Sequence, residues 1–268
     1  MPKLAFIGAG RMASAMVKGL IRSQACQPQD ITVISGADST ASDLARATGV
    51  RVAASPEELC AQADAVVLAC KPQQFLQLDQ RYPALTQGKC VLSILAGTQL
   101  GSLTKFFSSA RNVARAMPNT PGAVGQGITA LCSASPLDQA DQSIIRAILS
   151  GLGEIVELPE SSFDAVTAVS GSGPGFFFEF VAAYEAAAVS LGFTPAQAQR
   201  LVRQTLAGSL SLLQSGSESP DELRNQVTSP GGTTKAGLDV MASQQFRQLI
   251  LNTLEAAKNR SAELGKGK

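Results

Sequence analysis

The chain has 268 residues, of which 45% are hydrophobic and 16% charged, with a net charge of +1. That size and balance exclude a disordered chain and a strongly basic nucleic-acid binder, and they leave room for two globular domains. The absence of histidine removes the commonest metal ligand and general base, which argues against a metal site and against a Ser-His-Asp triad.

No apolar run approaches the roughly 20 residues of a membrane span, so no membrane partner is expected. The chain begins a strand at once, without the pattern of a signal peptide. The five cysteines are scattered with no C-x-x-C pair. They are expected to be reduced and packed as small hydrophobes in a cytoplasmic protein.

In chain order, Lys3–Ile7 (KLAFI) is an apolar strand, followed by a turn at Gly8–Gly10 and a helix from about Arg11 to Arg22. Ile31–Ser35 is a second strand, Thr40–Thr48 a helix and Val50–Ala53 a short strand. Ser55–Glu58 (SPEE) reads as a helix start: Ser55 as N-cap, Pro56 at the first helical position and Glu58 closing a capping box. Ala65–Ala69 (AVVLA) and Cys90–Ile94 (CVLSI) are continuous apolar runs, the pattern of parallel strands covered on both faces. NVARA, GITALC and Gly153–Leu158 (GEIVEL) supply later strands. The alternation predicts a Rossmann-type, doubly wound α/β domain over residues 1–160.

From Phe163 the strand signals vanish. Helical patterns cover Gly175–Ser190, Pro195–Gln214, Pro220–Val227, Thr234–Ala242 and Gln244–Leu264. Their apolar faces are too wide for a monomer's surface. Residues 161–268 are therefore expected to form an all-α domain that also dimerises.

Gly8–Ala13 (GAGRMA) fits G-x-G-x-x-G/A between a strand and a helix, with a second strand at Ile31. Gly8 permits the tight turn, Gly10 lets a pyrophosphate approach the backbone, and Ala13 keeps helix and sheet close. Gly8, Ala9, Gly10, Arg11 and Met12 are thus candidate cofactor residues, with the anion resting on the helix N-terminus. An NAD site usually carries Asp or Glu at the end of the second strand. Here Ser35 and Gly36 stand at that point, and Asp38 lies further out in the loop. With no carboxylate in place, and with the hydroxyls of Ser35, Ser39 and Thr40 nearby, NADPH is favoured over NADH, and NADH stays possible. Two further turns follow strands on the same sheet edge: Ala69–Gln74, where Lys71 and Pro72 are placed to wall a nicotinamide, and Leu95–Gln99.

Three more segments stand out. Met117–Gly127 (MPNTPGAVGQG) sets two prolines around Asn119 and Thr120, a rigid turn that leaves the Asn119 amide as a candidate cofactor contact. Val169–Phe178 (VSGSGPGFFF) reads as a tightly packed helix start. Ser229–Leu238 (SPGGTTKAGL) reads either as a slack linker or as a cradle of backbone N–H groups for an anion.

GAGRMA, MPNTP, SGSGP (Ser170–Pro174) and SPGGTT (Ser229–Thr234), in this order, resemble the pyrroline-5-carboxylate reductases, the last enzymes of proline biosynthesis. Lys71–Pro72 and Ala96–Gly97 fit that family's nicotinamide turns, and the resemblance covers nearly the whole chain. Two departures are Gly175–Phe176, where the family often has Ala-Tyr, and Ala13 for the third glycine. The resemblance implies NADPH-dependent reduction of a cyclic imine to L-proline. It implies that Ser229, Gly231, Gly232 and Thr233 hold the substrate carboxylate and that the Thr234 hydroxyl lies at the imine nitrogen. It also implies a homodimer through the C-terminal helices, grouped into a larger homo-oligomer such as a decamer. Thr234 also suits the N-cap of the following helix, Glu222 reads as a helix-start carboxylate, and Lys235 is expected to face solvent.

Two alternatives remain open on the residues. A 3-hydroxyacid dehydrogenase of similar layout wants a basic residue on the second domain, and no lysine stands between residues 160 and 234. A non-catalytic dinucleotide sensor explains GAGRMA but has no need of SPGGTT.

Overall fold

The computed structural model describes residues 1–266. The chain from Met1 to Ser172, together with the residues from Ala257 onward, forms one compact unit, and Gly173–Ala256 forms a second.

The first unit is built on β1 (Leu4–Ile7), α1 (Arg11–Arg22), β2 (Ile31–Ile34), α2 (Thr40–Thr48), β3 (Arg51–Val52), α3 (Pro56–Cys60) and β4 (Ala65–Leu68). It continues with α4 (Tyr82–Leu85), β5 (Cys90–Ser93), α5 (Leu100–Phe106), β6 (Asn112–Met117), β7 (Gly127–Ser133), α6 (Gln139–Ser150), β8 (Gly153–Glu157) and α7 (Phe163–Val166). The strands form one eight-stranded sheet in the order β3-β2-β1-β4-β5-β6-β7-β8. Every neighbouring pair is parallel except β6 and β7. A short connection through Thr120–Val124 takes β6 directly into an antiparallel β7, where a parallel partner needs a crossover of a dozen residues or more.

The apolar runs of β1, β4 and β5 follow from burial on both faces. Side chains alternate sides along a strand. Leu4, Phe6, Ala65, Val67, Cys90 and Leu92 enter one core with Met16, Val17 and Leu20 of α1. Ala5, Ile7, Val66, Leu68 and Val91 enter the other, with Leu59, Leu103 and Phe107. Each fully buried side chain of this size contributes about 1.5–3 kcal/mol, so neither face tolerates a polar alternate residue.

Several local readings change on inspection. Ser55 caps α3 by accepting from the Glu58 N–H at 3.2 Å, but the Glu58 carboxylate accepts from the Ala54 N–H at 2.8 Å. The expected box therefore closes one residue early. Sequence reading passed over α5 and α6. The latter is capped by Asp138, which accepts from the Asp141 N–H at 2.7 Å, while the buried Asp141 carboxylate pairs with Arg111. The SGSGP segment runs from the end of a π-type turn, Thr167–Gly171, closed by Ser172 N–H on the Thr167 carbonyl at 2.8 Å, into the helix that begins at Gly173, one residue before Pro174.

The second unit holds α8 (Gly173–Ser190), α9 (Pro195–Ser215), α10 (Pro220–Gln226), α11 (Thr233–Ser243) and the first part of α12 (Phe246–Lys266). Ala188, Ala198 and Val202 form a small core between α8 and α9. Phe177, Phe178, Phe180, Tyr184, Leu210 and Leu212 are exposed. An apolar groove of about 1010 Å³ runs between Phe177, Val181, Leu206 and Leu213. Among the described residues no helix is long and apolar enough to cross a membrane.

Helices α1 and α6 meet at Gly19 and Gly151, where a Cβ on Gly151 would lie 2.7 Å from the Gly19 Cα. Backbone on both sides leaves nothing to yield. Gly151→Ala is expected to lower stability by about 1–3 kcal/mol, read as a lower urea midpoint at unchanged slope.

Candidate functional site

A cleft of about 400 Å³ opens at the carboxyl ends of β1, β2 and β4. The chain leaves β1 for β2 on one side and later returns to β4 on the other. Ligands bind at this kind of switch point in open α/β sheets. Gly8, with φ +104°, makes the turn, and its Cα faces the backbone of Ala69 and Cys70. A Cβ there would lie 2.6 Å from both. Gly10 is the N-cap of α1 and makes no side-chain cap, and its own Cβ position meets nothing within 4 Å. Among the described residues the N–H groups of Arg11, Met12 and Ala13 have no partner, the first helical bond being Ser14 N–H to Gly10 at 2.8 Å. Open donors at the positive end of a helix dipole, over a surface cleared of side chains, suit a pyrophosphate. The residues present therefore fit a dinucleotide.

Of the residues expected from sequence, Gly8, Ala9, Gly10, Ser35, Ala69 and Lys71 line this cleft. Arg11, Met12, Ser39, Pro72, Ala96, Gly97 and Asn119 are not among its lining residues. Ser39 donates to Asp43 at 2.7 Å on α2. The Asn119 amide oxygen accepts from the Ile128 N–H at 3.0 Å and so braces the start of β7. Gly97, with φ +70°, faces the backbone of Leu264 and Gly265 at the end of α12. It borders a separate cavity of about 230 Å³ with Arg115, Glu160 and Asp164. There the buried Arg115 donates to Glu160 at 2.9 Å.

Thr40, Asp38 and Gln74, from the loop and turn read in the sequence, also line it, and the structure adds Gln77, Leu78, Asp79 and Tyr82. Most follow β4, in the run PQQFLQLDQRY, whose position on the carboxyl edge was the available signal. Gln74 fixes this turn by accepting from the Lys71 N–H at 2.9 Å. Hydrogen bonds from Thr40 hold the Asp38 carboxyl below its ordinary range, and Arg81 brings Asp79 down to about 2. Both are anions at neutral pH. Burial pushes the thiols of Cys26, Cys60 and Cys132 to about 11 and that of Cys90 to about 12. None of these four is a thiolate nucleophile at neutral pH.

In the second unit, the SPGGTT turn folds tightly. Gly232 N–H donates to the Ser229 carbonyl at 3.0 Å, and Gly231 takes the left-handed conformation at φ +71°. Helix α11 begins one residue earlier than the sequence suggested. Gly232 is its N-cap without a side-chain cap bond, and Thr234 is the second helical residue. Thr234 is therefore not the cap, and its hydroxyl has no partner among the described residues. The same holds for the N–H groups of Thr233, Thr234 and Lys235, since the first helical bond is Ala236 N–H to Gly232 at 3.1 Å. A Cβ on Gly232 would lie 2.5 Å from the Ser229 Oγ. Lys235 is exposed and pairs with Asp239 on its own helix at 2.6 Å. Glu222 closes the capping box of α10, accepting from the Ser219 N–H at 2.7 Å.

Comparison with known proteins agrees with this geometry. The family described as pyrroline-5-carboxylate reductase dimerisation matches residues 160–264, and one described as NADP oxidoreductase coenzyme F420-dependent matches residues 3–97. Pyrroline-5-carboxylate reductases of Synechocystis and Pseudomonas aeruginosa are each 38% identical over 98% of this chain, covering 98% and 97% of their own lengths. The chain belongs to the pyrroline-5-carboxylate reductase family. A solved pyrroline-5-carboxylate reductase from Coxiella burnetii superimposes with a TM-score of 0.88 at 32% identity, covering 98% of each chain. One from Plasmodium falciparum, with NADP bound, does so with 0.89 at 28% identity and the same coverage. The Rossmann-type sheet and the helical second part are thus those of the reductase family.

The two cleft glycines are expected to fail in different ways. Gly8→Ala collides with backbone at an unfavourable φ, so the melting temperature falls together with dinucleotide affinity. Gly10→Val leaves the melting temperature within a few degrees and weakens NADP⁺ binding by about 100-fold, measured by calorimetric titration. If Gly10→Val bound NADP⁺ like the wild type, the pyrophosphate would not lie on this turn.

Proposed function

We propose that the protein reduces 1-pyrroline-5-carboxylate to L-proline with NADPH. The observation that carries this is the SPGGTT turn. It presents three unpartnered N–H groups at the positive end of α11, with a threonine hydroxyl beside them, in a chain that belongs to the reductase family. A cyclic imine that bears a carboxylate matches that set of donors. The NADP-bound relative supports NADPH as the cofactor.

Gly8, Ala9 and Gly10, with the N–H groups of Arg11 and Met12, would hold the pyrophosphate, and Ser35 stands at the ribose end. Ala69, Lys71 and Pro72 form the turn over which the nicotinamide would lie, with Ala96 and Gly97 from the next strand end. When bound, NADPH supplies a hydride. The rest is orientation, for which histidine is unnecessary. A protonated imine is already an electrophile. As hydride joins its carbon, the C=N π pair moves to nitrogen and cancels the positive charge, leaving the ring amine. The carboxylate would sit in the cradle of Ser229, Gly231, Gly232 and Thr233, held by the open N–H groups that begin at Thr233 and by the helix dipole, and the Thr234 hydroxyl would position the nitrogen. Holding both reactants in register supplies most of the rate enhancement.

The functional division is proposed at residues 160 and 161, in line with where the family match begins. The exposed aromatic side chains of α8 and leucines of α9, with the groove they border, support a homodimer through the helical part, and the family resemblance extends this to a larger ring such as a decamer. The raised pKa values of the buried thiols suit reduced cysteines and a cytoplasmic enzyme.

Imine-dependent oxidation of NADPH, followed by cofactor absorbance, tests this reading. Thr234→Ala is expected to lower kcat by about 100-fold with NADPH affinity unchanged. Gly232→Val is expected to raise the KM for the imine by about tenfold or more, because its side chain occupies the space against Ser229. No imine-dependent oxidation by folded protein that binds NADPH would favour a dinucleotide sensor instead.

A further inference from the structure

The ribose end of the cleft holds fewer free donors than its composition suggests. Ser35 Oγ donates within its own loop, to the Asp38 carbonyl at 3.3 Å. Ser39 Oγ is committed to Asp43 at 2.7 Å. Thr40 donates to the Asp38 carboxylate through both its hydroxyl and its N–H, the latter at 3.1 Å. The three hydroxyls that the sequence offers to a 2′-phosphate are therefore spent on acceptors of the loop and of α2. Among the described lining residues the charged groups are Lys71, Asp38 and Asp79, and no arginine is present. Asp79 is neutralised by Arg81, which donates to it at 2.6 Å. Asp38 has no such partner. It lines the cleft as an exposed residue, and its carboxylate takes hydrogen bonds from Thr40 on Oδ1 and a further one from Ser35. Lys71 is close enough for its charge to act on Asp38.

We propose that Asp38 is a specificity-determining residue of this chain, one that opposes the 2′-phosphate of NADPH and accepts the 2′-hydroxyl of NADH. This rests on the dinucleotide reading of the cleft. A phosphate near Asp38 meets a like charge, and the energy of such a pair grows as water is displaced from between them. Lys71 offsets part of that repulsion, which keeps NADPH a substrate. A ribose 2′-hydroxyl is a donor, and the exposed Asp38 carboxylate keeps lone pairs to accept from it. The structural alternative is that Asp38 only caps the N-terminus of α2. Asn at position 38 keeps an acceptor for the Thr40 N–H while removing the charge, so the two roles separate.

The test is calorimetric titration of the full-length protein with NADP⁺ and with NAD⁺, which needs no turnover. Wild type is expected to bind the two within about tenfold of each other. Asp38→Asn is expected to tighten NADP⁺ by about tenfold and to leave NAD⁺ unchanged or weaker. Asp38→Glu, which keeps the charge, is expected to retain the wild-type ratio. Lys71→Gln should weaken NADP⁺ by about tenfold and NAD⁺ by far less. This variant keeps the proposal testable if Asp38→Asn lowers the melting temperature. An NADP⁺ to NAD⁺ affinity ratio that stays within about twofold of wild type in both Asp38→Asn and Lys71→Gln overturns the proposal. Failure of wild type to bind either nucleotide overturns the cofactor reading itself, and this inference with it.

Discussion

The close approach of Gly8 to the Ala69–Cys70 backbone is the constraint on which the first unit depends. Only a residue without a side chain lets the end of β1 turn against the end of β4. That turn aims the N-terminus of α1 into the cleft between them. The parallel pairing of β1 with both β2 and β4 sets the switch point. The apolar alternation of the central strands then locks the helices onto both faces. The unpartnered N–H groups of α1 follow from this packing, and they form an electrostatic demand that an anion answers.

The second unit repeats the device. Four helices carry side-chain caps: α3 by Ser55, α6 by Asp138, α9 by Thr194 and α10 by Ser219. Helices α1 and α11 begin instead at Gly10 and Gly232, and their first donors stay open. A side-chain cap there would satisfy the helix and block a ligand. With glycine at the N-cap the chain forgoes only roughly a few tenths of a kcal/mol of capping at each of these two ends and gains an anion site. A reductase of a protonated imine needs two such sites, one for pyrophosphate and one for carboxylate, and no proton-shuttling histidine. Composition, helix starts and family membership therefore agree on one chemistry.

The central strands and the long helices were legible because their patterns are dictated by burial. The spans of α1 and α2 fell where periodicity placed them. The antiparallel entry of β7 follows from the short link after β6, whereas the backbone-to-backbone packing of Gly122, Gly127 and Gly153 beside it was not legible, because spacing carries no record of that. The cleft was legible on its glycine side. At the ribose end, residue type said less: the hydroxyls of Ser35, Ser39 and Thr40 are hydrogen-bonded to Asp38 and Asp43, which spacing alone does not show. The Asn119 amide oxygen is fixed on the Ile128 N–H, a bracing role that its residue type did not announce. In SPGGTT, the motif identified the segment, but only the backbone showed that Gly232, and not Thr234, caps α11.

The central claim is direct hydride transfer from the nicotinamide to the imine carbon. The measurement that tests it is the fate of deuterium carried on the nicotinamide C4 of NADPH, supplied separately in its two stereochemical forms with 1-pyrroline-5-carboxylate. The account requires that one form yield L-proline with a single deuterium on the ring carbon that had been doubly bonded to nitrogen, and that the other yield unlabelled L-proline. Proline free of deuterium from both forms, or no proline from a protein that binds NADPH, would contradict it.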